Sequence, residues 1–266
     1  MAVATTTLTE LLDIDFAGVS RSIEKFISSY ISRSSAKGLL IGLSGGLDSS
    51  VVFKLAVNAL SPSSVLGIVM PSDMTPADDI HQAIEFAESL GTKYHIIDIN
   101  PFLKTYAENL PKHKMARGNL MARIRMSILY YYANINGYLV AGTSDKSEYE
   151  IGYFSKFGDG AADLLPIADL YKTQVRALGK FLGIPATIVE KRSSPRLWVN
   201  HLAERELGMK YEAIDPILYL LVDKNMKPND VARKLKIPLE QVDKIRVLIK
   251  RNLHKRTPVP IASLES

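Results

Sequence analysis

"IGLSGGLDSSVVFKLA", residues 41–56, decides how the rest of this 266-residue chain is read. With the residues before it, "KGLLIGLS" reads as a short buried strand, and 48–60 reads as a helix. Between them lies Ser44-Gly45-Gly46. Consecutive glycines let backbone N–H groups converge on an anion, and a helix N-terminus adds the positive end of its dipole. Strand, Ser-Gly-Gly loop and helix therefore make a phosphate cradle in form. It is not a Walker A loop, which requires a Lys that is absent here. Asp48 would repel a polyphosphate unless a cation bridges the two, which points to Mg²⁺. Without a ligand, Asp48 is an ordinary first-turn carboxylate and the glycines are a tight turn.

Outward from this loop, residues 8–35 carry apolar positions at helical spacing (Leu8, Leu11, Leu12, Val19, Ile23, Phe26, Ile27, Tyr30), which predicts one or two opening helices. "SSVLGIVM" (63–70) and "KYHIIDI" (93–99) read as strands two and three, with a helix at 75–91 capped by Thr75. A short helical stretch covers 101–110. "NLMARIRMSILYYYANING" (119–137) is a long helix stopped at Gly137, and "YLVAGTS" (138–144) is a fourth strand. Strands alternating with helices give an α/β fold, a doubly wound parallel sheet flanked by helices. Ligands in such sheets bind beyond the carboxyl ends of the strands, where the Ser44 loop and Thr143 fall. Residues 145–166 read as a long structured loop. "GDGAAD" (158–163) echoes the dinucleotide G-x-G-x-x-G, but Leu164-Leu165-Pro166 follows where a helix would start. From 167 the chain turns mostly helical, and 227–255 has the period of a helix-turn-helix. Residues 1–266 read as one domain, with a nucleotide-binding core at about 36–185 and a helical C-terminal part at about 186–266.

The composition excludes several chemistries. Cysteine is absent, so disulfides, thiol nucleophiles and persulfide transfer are excluded within this chain. No apolar run approaches the ~18–20 residues of a membrane span. "MAVATTTLTELLDIDF" lacks the features of a signal peptide, and a cytoplasmic protein is expected. The net charge of +5 suits a phosphate-rich small ligand as well as nucleic acid.

"GLSGGLDSS" (42–50) resembles the S-G-G-x-D-S loop of the ATP pyrophosphatase group. "GTSDKSEYEIGYFSKFGDGAADLLPIADLYKTQV" (142–175) resembles ammonia-dependent NAD synthetases almost throughout. "GNLMARIRM" (118–126), "KRSSPRLW" (191–198) and "HKRTPVP" (254–260) fit the same family in order. The resemblance implies ATP-dependent amidation of deamido-NAD through an acyl-adenylate, with release of pyrophosphate and AMP. ATP is then a co-substrate and Mg²⁺ the cofactor. It also implies a homodimer, consistent with the apolar excess of 119–137, which covers more than one helix face. No glutaminase domain is expected, and ammonia is the expected donor, with neither nucleic acid nor membrane as partner.

By the same resemblance, Gly42, Leu43, Ser44, Gly45, Gly46, Leu47, Asp48 and Ser49 cradle ATP phosphates, and Thr143, Lys172 and Ser194 add further ATP contacts. Asp48 and Glu148 hold Mg²⁺. Arg123, Lys156, Asp163, His254 and Lys255 touch deamido-NAD, and Asp48, Lys172 and Asp159 serve the chemistry. Out of that context each has a plainer role: Glu148 a solvated carboxylate, Lys172 a helix-surface charge, Asp163 a turn cap and residues 254–256 a solvated helix end. "VMPSDMTPADD" carries no Arg where relatives often place a basic residue near ATP. Three other readings stand beside this one. They are amidation of nicotinic acid mononucleotide, a lysidine-type tRNA-modifying enzyme sharing the loop, and a nucleic-acid-binding module. The tRNA-modifying reading leaves the 142–175 block unexplained, and the binding module leaves Asp48 and Glu148 without purpose.

Overall fold

The computed structural model describes residues 2–198 and 200–264. Among them, β1 (Gly38–Leu43), β2 (Val65–Val69), β3 (Lys93–Ile96) and β4 (Tyr138–Ala141) form one parallel sheet in the order β3-β2-β1-β4. β1 pairs Leu43 with Val69 on one side and Ile41 with Ala141 on the other. Two strands are added on one side of β1 before β4 closes on the other. The topological switch point thus lies between the ends of β1 and β4, where such sheets bind ligands.

Successive strand residues point to opposite faces, and both faces are covered. Leu39, Ile41 and Leu43 of β1 pack on one side with α2 (Phe16–Ser34), α3 (Leu47–Ala59) and α4 (Ala77–Ser89). Leu40 faces the other way, toward α5 (Asn100–Ala107) and α6 (Lys114–Asn136). Burial on both faces explains why β1 and β2 read as continuous apolar runs rather than alternating ones. A third cluster gathers α1 (Ala2–Leu12) through Leu11, α7 (Lys146–Ile151) through Ile151, and Tyr171 just before α8 (Lys172–Phe181). After α9 (Ala186–Val189), the same cluster takes in α10 (Ala203–Leu207), α11 (Tyr211–Leu218), α12 (Pro228–Leu235) and α13 (Leu239–Arg251). The helix-turn-helix period of the C-terminal part corresponds to α12 and α13, whose Val231, Leu235, Val242 and Ile245 face this core. No helix among the described residues is long and apolar enough to cross a membrane.

The structure moves several of the expected boundaries, the fourth strand among them, which ends at Ala141. The stretch 145–166 is not all loop: α7 occupies its start, capped by Asp145, whose carboxylate accepts the Glu148 N–H at 2.8 Å. A helix of six residues is too short to show a period. Thr75 does not cap α4; its hydroxyl accepts the Ser72 N–H at 3.0 Å and Pro76 holds the cap position. The long helix starts earlier, at Lys114, because His113 Nδ1 caps it through the Ala116 N–H. The third strand ends at Ile96, after which Ile97 and Ile99 donate irregularly to Val69 and Pro71.

Candidate active site

The Ser44 loop is held by contacts within the chain. Gly45 has φ of 69°, and a Cβ there would lie 2.0 Å from the Asp79 carbonyl oxygen, so only glycine fits. Ser44 and Ser49 share a hydroxyl contact at 3.1 Å, while Ser50 Oγ donates to Gly46 O at 2.9 Å. These bonds hold the loop against the first turn of α3, whose N–H groups and dipole favour an anion. The cleft above it is lined by Gly42–Ser44, Gly46–Asp48, Thr143, Glu148, Asp159 and Ser194.

Three helix N-termini meet beside the cradle. Asp48 lies in the first turn of α3, Asp145 caps α7, Glu148 is in its first turn, and Lys172 opens α8. Lys172 is fully buried, its Nζ 2.7 Å from Asp48 Oδ2, 2.7 Å from Asp145 Oδ2 and 2.8 Å from Glu148 Oε1. Burial opposes charge on this amine, yet the Asp145, Asp48 and Glu148 carboxylates outweigh it and hold its pKa well above the ordinary lysine value. Burial likewise drives the Glu148 and Asp145 carboxyls upward, helped by neighbouring carboxylates and opposed by Lys172.

One ammonium faces three carboxyl groups, so the set carries net negative charge whenever all three are ionised. Asp48 Oδ1 is buried without a hydrogen-bond partner, and Asp145 Oδ2 meets Lys172 outside hydrogen-bonding geometry. Asp48, Asp145 and Glu148 each offer an oxygen within 4.8 Å of the others. An all-oxygen, net-negative set with unspent lone pairs fits a hard divalent cation. Asp145 was not singled out from sequence, although its i, i+3 spacing to Glu148 marks both for one helix start.

A second carboxylate organises the opposite rim. Asp79, buried in the first turn of α4, holds Lys191 Nζ at 2.8 Å and Arg196 Nε at 2.8 Å. Lys191 also donates to Gly45 O at 2.6 Å. "KRSSPRLW" thus brings Lys191 and Arg196 to the cleft beside the segment that follows β2. Ser194 lines the same cleft; its hydroxyl donates to His201 O and accepts from the Arg196 N–H.

The other predicted residues fall into separate places. Arg125, not Arg123, lines this cleft; its Nε donates to Met70 O at 3.1 Å, and burial lowers its pKa to about 10. Arg123 lies outside it, donating through Nη2 to Lys156 O at 3.1 Å, and Lys156 Nζ reaches His254 O at 2.7 Å. Lys255 is tucked inward, with Nζ 2.7 Å from Gly152 O and 2.9 Å from Phe154 O. Residues 254–256 are therefore a folded strap, with Lys255 and Arg256 tied down and His254 exposed. Asp159 stands exposed in the cleft and accepts the Ser155 N–H at 2.8 Å. Asp163 joins neither group: its Oδ2 accepts the Val140 N–H at 2.7 Å, bracing β4.

The chain is similar to known proteins over nearly its whole length. A family model described as NAD synthase matches residues 19–259. The NH(3)-dependent NAD(+) synthetase of Hyperthermus butylicus is 52% identical, over 96% of this chain and 93% of that one. The solved structure of NMN synthetase from Francisella tularensis has a TM-score of 0.84 at 32% identity, covering 95% of this chain and 100% of that one. NH3-dependent NAD synthetase from Campylobacter jejuni, solved with a nitrate ion, gives 0.81 at 28% identity, with 94% and 100% covered. With a phosphate cradle at the switch point and relatives matching over nearly the whole length, the chain belongs to the NAD synthase family.

Proposed function

We propose that this protein amidates deamido-NAD to NAD with ATP and ammonia. The observation that carries the reading is the Asp48–Asp145–Glu148–Lys172 cage at the mouth of the Ser44 cradle. A pyrophosphate held by backbone N–H groups needs a cation at its flank, and the cage supplies the place for one. Asp48, Asp145 and Glu148 would hold Mg²⁺, which offsets phosphate charge when bound.

The nicotinate carboxylate oxygen attacks the α-phosphorus of ATP, and the bond to pyrophosphate breaks, leaving an acyl-adenylate. The cradle N–H groups of Ser44 to Ser49 take up charge on the departing pyrophosphate, and Lys172, buried against Asp48 and Glu148, fixes those carboxylates at its flank. Ammonia then attacks the acyl carbon and AMP leaves with its oxygen. Asp159 faces the cleft and receives the proton that the nitrogen sheds. Thr143 and Ser194 position the nucleotide. Arg123, Lys156, His254 and Lys255 form the deamido-NAD side, and Asp163 supports it through β4. The chain acts as one domain and as a homodimer paired through α6, where Tyr131 and Ile135 stand exposed beside a groove lined by Phe102, Tyr106 and Ile128.

The test is turnover with ATP, Mg²⁺ and ammonium on deamido-NAD and on nicotinic acid mononucleotide in parallel. AMP and pyrophosphate form, and the dinucleotide is preferred. Preference for the mononucleotide would place the activity with that of the Francisella relative; ADP and phosphate as products would remove the acyl-adenylate.

A further inference from the structure

Nothing in the proposed chemistry uses α11, yet it presents two buried polar side chains to the start of α8. Tyr211 and Asp215 are one turn apart, hence on one face, and both are fully buried. Asp215 Oδ2 accepts the Thr173 N–H at 2.8 Å, and Oδ1 accepts the Ser147 hydroxyl at 2.6 Å. Ser147 Oγ in turn accepts the Lys172 N–H at 2.9 Å. Two main-chain donors at the head of α8 are therefore satisfied from α11 and α7. The Tyr211 ring lies 5.3 Å from Lys172 Nζ, and its hydroxyl is buried with no hydrogen-bond partner. The ring, not the hydroxyl, makes the contact.

A lysine ammonium sits on a flexible four-carbon stem, and a small misplacement of a charge that serves a transition state is costly. Here the main chain under that stem is fixed by Asp215 through Thr173 and Ser147, while the ammonium rests near an aromatic face. Asp215 has no cation of its own among its hydrogen-bond partners. A buried acidic side chain so placed is costly unless it is hydrogen-bonded, and its bonds here are spent on Ser147 and on the N-terminus of the helix that carries Lys172. We infer that α11 is the positioning element for the Lys172 ammonium. Asp215, relayed by Ser147, sets the main chain, and the Tyr211 ring backs the charge. This rests on the reading of Lys172 as an ATP-side group. It makes the helical C-terminal part a working component of the nucleotide site.

Five variants decide it: Asp215→Leu, Asp215→Asn, Ser147→Ala, Tyr211→Leu and Tyr211→Phe. Each is checked for folding by circular dichroism, for KM with ATP and deamido-NAD varied separately, and for ATP binding by calorimetry. Asp215→Leu and Tyr211→Leu raise the KM and Kd for ATP by at least about tenfold and leave the KM for deamido-NAD within about twofold. Asp215→Asn, which keeps an acceptor for Thr173, and Tyr211→Phe, which keeps the ring, recover most of that loss. Ser147→Ala moves in the same direction as Asp215→Leu and takes its place in the comparison if the latter does not fold. Folded variants that lose kcat in proportion to their folded fraction, with both KM values unchanged, overturn the inference. Equal losses on both substrates overturn it as well. Failure of the native enzyme to amidate deamido-NAD would instead sink the functional reading, while the ATP Kd series would still judge α11.

Discussion

Lys172 Nζ lies 2.7 Å from Asp48 Oδ2, although 124 positions separate the two in the chain. This pair ties the first turn of α3 to the first turn of α8 and puts a fixed charge beside the phosphate cradle. Glu148 completes the same unit. Asp48→Asn and Glu148→Gln should each lower turnover by at least about 10–100-fold, the loss typical of a mere outer-shell partner, since each removes a direct hold on the cation. The double variant should be little worse than either single one, because the two residues act together. Near-native turnover at saturating Mg²⁺ in a single variant would remove that residue from the metal site.

Chelation probes the same charge imbalance without mutation. With EDTA, turnover should vanish and return on adding Mg²⁺. A ligand that binds only the folded form also raises its stability, so Mg²⁺ should raise the Tm of the native protein and not that of Asp48→Asn. A Tm indifferent to Mg²⁺ in both would mean that the three carboxylates hold no cation without nucleotide.

Lys255 is held by Gly152 O and Phe154 O, and burial lowers its pKa despite the nearby Asp159 charge. Lys255→Ala should weaken apparent affinity for deamido-NAD by roughly 1–3 kcal/mol, the range of a charge-assisted contact. The KM for ATP should move much less. A change in neither KM would return the strap to a purely structural role, and equal changes would indicate a folding defect.

The exposed apolar edge of α6 sets up the association test. Tyr131 and Ile135 are 66% and 63% exposed, an arrangement expected of a face that another chain covers. Tyr131→Glu should shift the sedimentation coefficient from dimer to monomer and reduce activity. An active native monomer at micromolar concentration would defeat the proposed homodimer.

Asp215 gives the pH dependence of stability a definite sign. Burial pushes its carboxyl from 3.8 up to about 7, against the bonds from Ser147 and Thr173. Between those values the folded protein keeps a proton that the unfolded chain has released. The contribution is therefore fully present below about pH 4, is lost as pH rises toward 7, and is flat above. Asp145 and Glu148 act in the same sense but are shared by native protein and variant. A plot of Tm against pH should fall less steeply for Asp215→Asn than for the native protein. Parallel slopes would show that the carboxyl is ionised throughout.

The strand–loop–helix unit was legible because three local signals coincide: an apolar run, two glycines, and a polar helix start. Gly137 was legible as a stop for a similar reason, and it adopts the left-handed φ of 66° that favours glycine. The cage was legible only in part. Asp145 escaped because α7 is six residues long, shorter than two helical turns. Lys172 carries no local signal at all. On pattern alone it belongs to a helix surface, and only the resemblance singled it out. Asp79 was invisible for a different reason: next to Asp78 it reads as a dipole-favoured helix start, and its partner Lys191 stands 112 positions away. Local patterns report periodicity and turn chemistry. They do not report which distant charges a sheet will bring together.

Gly45 and Asp79 share one wall, since a single added carbon on the first would strike the main chain of the second. Lys191 then fastens the two, through Gly45 O and the Asp79 carboxylate. The loop after β1 and the head of α4 are therefore one mechanical part made from two pieces of sequence. Redesign of this enzyme for a different nucleotide would have to vary both pieces together, because a library confined to the glycine loop is bounded by a backbone it does not contain.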